Sequence, residues 1–404
     1  MKIGCYHLIS DIHNQGYINQ SLEPFVKKIE HDLGESLNQI TPKDFKKDMI
    51  LPIIFIKSGG VEEKFKRIYQ QFSTPYFLMA GCLHNALPAA LEIKSFLRKR
   101  GEKAEIIHGS ADWIALRLKM LKRVIEAKKA CRLFQVGVLG EPSDWLIASK
   151  ADYHKVKKKW GMKIFNLPLE EMIRHIDQAE FDEKSVPSGI MEKSFDPKIT
   201  QQALKIYQGL KNLVQEYRFN AITVRCFELL DFYKNTGCLA LSLLNNEGIV
   251  AGCEGDVPAL ISMILLNVLT KEPVFMANTA CIHQKKNEIL FAHCTIPTQM
   301  CKDYQLDSHF ESGLGVGIKG KVEPGPVTIF KIDGQGENYY LAEGYLTESI
   351  SSPNLCRSQL KISLNQPVND FLERSIANHH VICKGSHRDI IEEFWSLTAK
   401  KESR

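Results

Sequence analysis

A chain of 404 residues exceeds the size at which a single hydrophobic core keeps growing, so two or three domains are expected. Its 44% hydrophobic and 25% charged content is that of a folded, water-soluble protein, and a formal charge of +5, from 52 basic against 47 acidic residues, is too weak to support nucleic-acid binding. Eleven cysteines without a C-x-x-C pair fit neither a disulfide framework nor a zinc knuckle, and read as reduced thiols of a cytoplasmic protein.

Residues 1–14 lack the apolar core of a signal peptide and read as a first strand; residues 22–33 read as a polar helix. The run ILPIIFIK at 50–57 suits a strand covered on both faces, and Ser58-Gly59-Gly60 then opens a helix over 61–72. A strand at 75–80, a helix that follows Asn85 with Pro88 in its first turn and is stopped by Gly101, and a strand at 103–108 continue the alternation. Strict alternation implies a doubly wound parallel sheet, whose ligands lie beyond the carboxyl ends of strands. His84 and Asn85 stand at such an end and are candidate substrate contacts.

After a long helix at 111–129, a strand at 133–139 begins a second region, with the boundary placed at 131/132. Trp145 follows a Gly-Glu-Pro turn and is either a wall for a sugar face or a core residue. The helix expected at 147–160 carries Lys155, Lys157, Lys158 and Lys159; residues 181–200 read as an extended connection, and 203–217 as an amphipathic helix. A strand at 220–225 ends near Glu228.

Residues 248–294 hold most of the functional information. A short strand ends in Cys253-Glu254-Gly255-Asp256 and enters an apolar helix over 257–270, too short for a membrane span, so no membrane insertion is expected. Two carboxylates therefore sit over a helix N-terminus, where negative charge is stabilised by roughly 0.3–1 kcal/mol, although Asp256 could serve simply as the N-cap. Strands at 273–276 and 288–292 end at Asn278 and His293, so oxygen and imidazole groups recur at strand ends, as a divalent-metal site requires. His283 reads as a loop residue. Beyond residue 272 short strands and turns indicate a mainly antiparallel barrel or sandwich, closed by a helix at 390–398. Residues 315–321 fit G-x-x-x-x-G-K, but Val322 replaces the required Ser or Thr and a β-like stretch follows, which excludes a phosphate loop.

Four patches, 85–92 (NALPAALE), 253–256 (CEGD), 309–313 (HFESG) and Asn378-His379-His380, together resemble the L-fucose isomerase and L-arabinose isomerase superfamily. The resemblance implies two doubly wound, Rossmann-like α/β domains, 1–131 and 132–272, followed by a β-barrel-like domain at 273–404. It also implies a divalent metal, usually Mn2+, that assists proton transfer between C1 and C2 of a sugar. Matched by motif, Glu254 is the first acidic ligand and general base, and His293 and His380 are further ligands. Asn278 falls 24 positions after Glu254, where the fucose branch has a ligating aspartate. An amide can offer oxygen to a metal but cannot usefully accept a proton, so Asp256 and Glu228 are candidates for the second proton transfer, or else groups that orient ligands. Arg357 and His379, with His84, Asn85 and Trp145, complete the expected substrate contacts.

The implied activity is metal-dependent aldose–ketose isomerisation of a sugar. The positive charge and the lysine patch at 155–159 further suggest an anionic substituent such as a sulfonate or phosphate. A non-catalytic sugar-binding or regulatory protein, motivated by Asn278, and a metal-dependent epimerase are the alternatives. Relatives of this kind form hexamers or comparable assemblies, which makes a homo-oligomer the expectation.

Overall fold

The computed structural model describes residues 1–72, 74–181 and 187–398. The chain divides into two compact units, Met1–Glu126 and Ala127–Arg404.

The first unit contains β1 (Lys2–Leu8), α1 (Gln15–Leu33), β2 (Asn38–Gln39), β3 (Ile50–Ile56), α2 (Glu62–Ile68), β4 (Tyr76–Ala80), α3 (Ala86–Arg98), β5 (Ala104–Ile107) and most of α4 (Ala111–Cys131). Its strands form a parallel sheet in the order β2-β1-β3-β4-β5, the doubly wound arrangement that the alternating pattern implies. The sequence of β3 is apolar throughout because Leu51 and the run from Ile53 to Ile56 are buried on both faces. Helix α1 starts a full two turns before the apolar pattern does, because the Asn14 side chain caps it by accepting from the Tyr17 N–H.

The second unit begins with β6 (Gln135–Leu139), α5 (Tyr153–Trp160), β7 (Lys163–Leu167), α6 (Leu169–Gln178), α7 (Pro197–Tyr217), β8 (Ala221–Val224), α8 (Glu228–Tyr233), α9 (Cys238–Asn246), β9 (Val250–Cys253) and α10 (Val257–Thr270). It continues with β10 (Phe275–His283), β11 (Glu288–His293), β12 (Asp303–Asp307), β13 (Gly317–Lys321), β14 (Gly325–Ile332), β15 (Tyr339–Ile350), β16 (Ser358–Leu364), α11 (Asn369–Arg374), β17 (His380–Lys384) and α12 (Arg388–Thr398). Strands β7-β6-β8-β9 form a second parallel sheet, and β10-β11-β16-β15-β14-β17 close into an antiparallel barrel. The fold is thus α/β, with two parallel sheets followed by an antiparallel barrel. Helix α10 is buried along nearly its whole length, which explains a composition with almost no polar face. Among the described residues no helix is long and apolar enough to cross a membrane.

Several local expectations change. The helix expected from residue 147 starts only at Tyr153, where Asp152 supplies the cap, and the stretch expected to be extended becomes α7 at Pro197, capped by Asp196; residues 182–186 lie outside the described residues. Strand β7 is mostly exposed and so has no apolar signature, whereas α9 is buried on all sides and shows no helical period. The strand expected to end before Asn278 runs on to His283, which puts Asn278 inside β10, paired with Ala292.

Candidate active site

Strands β8 and β9 are parallel neighbours, with Val224 opposite Cys253, so their ends deliver Cys226 and Glu254 to one place. Beyond β9 the chain turns through two residues of positive φ, Glu254 at 61° and Gly255 at 67°. A left-handed glutamate is costly and marks a backbone held for a purpose. Gly255 has no such freedom to become larger, since a Cβ there would lie 2.8 Å from Pro142 Cα and 2.9 Å from the Glu141 carbonyl oxygen. The Ser143 N–H donates to the Glu254 carbonyl over 2.9 Å and fixes the turn from the far side.

The Glu254 side chain, only 7% exposed, is gripped at both oxygens. Trp145 Nε1 donates to Oε2 at 2.6 Å, while Oε1 faces His379 Nε2 at 3.4 Å and His293 Nε2 at 3.8 Å. Burial alone raises a carboxyl pKa, but the two imidazoles more than reverse this and hold Glu254 well below the usual range. His293 ends β11 and is oriented by Thr295, whose hydroxyl lies 3.0 Å from Nδ1.

Asp256 is the N-cap of α10, its Oδ1 accepting from the Ala259 N–H at 2.8 Å. The carboxylate is completely buried, and so are its two other principal partners, Lys331 on β14 and His379. Lys331 Nζ lies 3.3 and 3.4 Å from the two carboxylate oxygens, and His379 Nδ1 lies 2.9 Å from Oδ2. Burial raises the Asp256 pKa, yet Lys331 and His379 bring it down to about 2. Burial lowers the His379 pKa, and the Asp256 hydrogen bond together with the charges of Asp256 and Glu254 reverses this, lifting it to about 9.

His380, expected as a ligand, opens β17. Its ring packs against Phe371, Tyr340 and Phe291 at centroid distances of 4.6, 5.5 and 6.4 Å, and its Nδ1 meets the Asn378 carbonyl at 3.1 Å. Burial pushes its pKa down to about 3, so it is neutral. His379, expected to touch substrate, faces Glu254 instead. Glu228 is also redirected: it opens α8 and is tied to the Arg225 guanidinium three residues earlier, not to Glu254. Asn278 lines the same cavity as Glu254 and His293, and its Oδ1 accepts from Asn378 Nδ2 at 2.6 Å. Trp145 serves as a donor to Glu254, its ring edge-on to Phe227 at 4.9 Å. The Arg357 guanidinium donates to the Ser308 carbonyl and hydroxyl at 2.7 and 3.1 Å. His84 and Asn85 belong to the first unit, where His84 Nε2 lies 2.7 Å from the Ser21 hydroxyl. The lysine patch does not line the cavity: Lys155 pairs with Glu337, and Lys159 donates to the Gly336 carbonyl and covers the Trp395 ring.

The donor set fits a divalent cation. A Glu254 oxygen, a His293 nitrogen and the Cys253 sulfur lie within 4.8 Å of one another, and the neighbouring His379 Nε2 is buried without a hydrogen-bond partner. A carboxylate with imidazoles and a thiol suits borderline first-row ions, and does not by itself select manganese. A second group, Glu171, His175 and Glu216, fits less well, because Arg174 and Tyr217 already satisfy Glu171.

The chain is similar to sugar isomerases. It is 23% identical over 333 residues to a protein of Alkalicoccus urumqiensis named sulfoquinovose isomerase, covering 76% of this chain and 73% of the relative. A protein of Priestia megaterium with the same name is 24% identical over 276 residues, covering 64% of this chain and 60% of the relative. No protein-family model matches the chain.

Other residues of the cavity were given no role by the sequence. His309 and Glu311 line it from the loop after β12, and Cys226, Cys238, Cys294 and Cys356 join Cys253 in its wall. The 309–313 patch was visible as a motif, but the cysteines are scattered along the chain and only the fold collects them.

Proposed function

We propose that the chain is an aldose–ketose isomerase acting on a sulfonated sugar. The observation that carries this reading is the buried Glu254 carboxylate, anchored by Trp145 and facing His293 and His379, in a chain similar to proteins named sulfoquinovose isomerase.

In this reading Glu254, His293 and His379 would hold a divalent metal with Asn278 beside them, and the chemistry it would supply there is Lewis-acid stabilisation of negative charge on oxygen. The residues themselves do the rest. Isomerisation takes a proton from C2 and returns one to C1, while a hydroxyl proton moves from O2 to O1, so no atoms or electrons are gained or lost. Two carboxylates line the cavity, Glu254 and Glu311, and they are the groups proposed to move these protons. Glu254, acidified by its neighbours, is the better ligand, and the exposed Glu311 is the freer proton carrier. Asn278 commits its oxygen to Asn378, which leaves its NH2 group to donate to a sugar hydroxyl.

The cavity lining contains no lysine or arginine among the described residues, so the lysine patch does not supply the sulfonate site. Arg357, adjacent to Cys356 of the lining, is the side chain assigned to that group. Eleven free cysteines favour a reducing compartment, hence the cytoplasm, and a homo-oligomer belongs to the same reading through the family resemblance.

The test is to incubate the metal-loaded protein with sulfoquinovose in D2O, following ketose formation and deuterium at C2. Ketose formation that disappears in Glu254→Ala supports the reading. Ligand-induced stabilisation without exchange would instead favour a sugar-binding protein, and exchange with an inverted centre but no ketose would favour an epimerase.

A further inference from the structure

Building on the metal-binding reading above, we propose that Asp256 and Lys331 form a buried positioning pair, which fixes His379 with Nδ1 as the donor and Nε2 turned toward the cation position beside Glu254. Neither residue faces the cavity, so neither is a catalytic residue.

Asp256, Lys331 and His379 are all fully buried, and an apolar trio of the same volume would serve stability at least as well. The geometry, however, does something that an apolar trio cannot. An ionised carboxylate only accepts hydrogen bonds, so the 2.9 Å contact from Asp256 Oδ2 requires the proton on His379 Nδ1. Any lone pair the ring can offer a metal is then on Nε2.

The carboxylate is itself prevented from turning. The first turn of α10 holds Oδ1 through the Ala259 N–H, Ser149 Oγ approaches Oδ2 at 3.5 Å, and Lys331 spans both oxygens from the barrel strand β14. Orientation therefore passes from the head of α10 and from the barrel, through Asp256, to the imidazole. At the far end, Nε2 is buried, lacks a hydrogen-bond partner and lies 3.4 Å from Glu254 Oε1. A bound cation would take the place of the proton between this nitrogen and the Glu254 oxygen.

The next residue provides a comparison within the same chain. His380 is equally buried and its Nε2 is also without a partner, but its Nδ1 is held only by the Asn378 carbonyl and its ring faces Phe371 and Tyr340. Among the described residues its polar partner is that carbonyl, where His379 has the Asp256 carboxylate. The carboxylate–imidazole arrangement belongs to His379 alone of the two.

Two measurements test the proposal. The first compares Mn2+ and Zn2+ titrations by calorimetry for the wild type, Glu254→Ala, His379→Ala and the double variant Asp256→Asn/Lys331→Met, which removes the ion pair without leaving a buried charge unpaired. The double variant is expected to fold, by circular dichroism, and to bind metal 10–100-fold more weakly, the usual loss when an orienting partner is removed. Binding within threefold of wild type would overturn the proposal. The second needs no variant: anomalous scattering from metal-soaked wild-type crystals should show the ion on His379 Nε2, with Asp256 still on Nδ1. An ion on Glu254 and His293 but not His379 overturns the positioning role alone, whereas no ion at Glu254 overturns the metal-binding reading on which it rests.

Discussion

The indole N–H of Trp145 donates to Oε2 of Glu254 over 2.6 Å, although the two residues are 109 positions apart in the chain. With Oε1 turned toward two histidines, this bond fixes the plane of the carboxylate. Trp145 is itself half exposed, so replacing it should perturb the site more than the core. A hydrogen bond to a charged group contributes about 1.5–3 kcal/mol, so Trp145→Phe is expected to reduce kcat/KM by at least about tenfold. Unfolding should shift by only a few degrees. An unchanged kcat/KM would show that the bond does not orient Glu254 during turnover.

The histidine between the two carboxylates gives the metal-free protein a pH signature. His379 is raised from 6.5 to about 9, so its contribution to stability is complete below the unfolded value and fades as pH rises through the folded one. The full effect is about 3 kcal/mol as an upper bound, at 1.36 kcal/mol per unit. Thermal unfolding of metal-free protein should therefore fall between pH 6.5 and 9, and His379→Gln should flatten the curve in that window. Asp256, lowered to about 2, acts in the opposite sense: its contribution is present above the unfolded carboxylate value and is lost only as pH falls toward 2.

Much of this centre could be read from sequence because it is local. The run from Cys253 to Asp256 and the bounds of α10 follow from a strand, a glycine turn and an apolar helix in direct succession. What could not be read depends on phase or on distance. His379 and His380 are adjacent where β17 begins, and successive residues there face opposite ways, so a single position separates a candidate ligand from a histidine packed among aromatic rings. Glu228 looked like a free acid at a strand end, but the intervening turn brings it back onto Arg225. Lys331, 75 positions from Asp256, carries no motif, and its role rests wholly on the packing of α10 against the barrel.

Gly255 tests the turn that presents Glu254. Its φ of 67° disfavours any side chain, and a Cβ would press on backbone atoms of Glu141 and Pro142, which have little room to retreat. Gly255→Ala is expected to destabilise the protein by about 2 kcal/mol or more and to lower metal affinity together with activity. A stable Gly255→Ala protein with wild-type metal binding would mean that the turn tolerates rearrangement.

Cys226 and Cys253 offer a redox test of the same strand ends. Their sulfurs are 2.9 Å apart, both buried, and Cys253 directly precedes Glu254. Hydrogen peroxide can oxidise two thiols to one disulfide, the thiols losing two protons and two electrons as the peroxide becomes two waters. The Cys226 contact and then burial keep the Cys253 thiol protonated, which makes the reaction slow. Prolonged exposure is expected to abolish activity, dithiothreitol to restore it, and Cys226→Ser to resist loss. Mass spectrometry should find the 226–253 linkage in the inactive protein, and inactivation of Cys226→Ser at the wild-type rate would assign the damage elsewhere.

Arg357 carries the prediction that separates a sulfonated sugar from a neutral one. Its guanidinium is partly committed to Ser308 and lies 3.7 Å from Asp307, yet it keeps more donors than these contacts use. A guanidinium held by a backbone carbonyl is a pre-oriented fork for an anionic tetrahedral group. Arg357→Met should therefore raise KM for sulfoquinovose by about tenfold or more, the loss expected for one charge-assisted contact, while leaving any turnover of glucose unchanged. Arg357→Lys should recover part of the affinity, because it restores charge without the fork. Equal losses for both sugars would assign Arg357 to the structure of the loop at Ser308, and would require the sulfonate to be held by some other group.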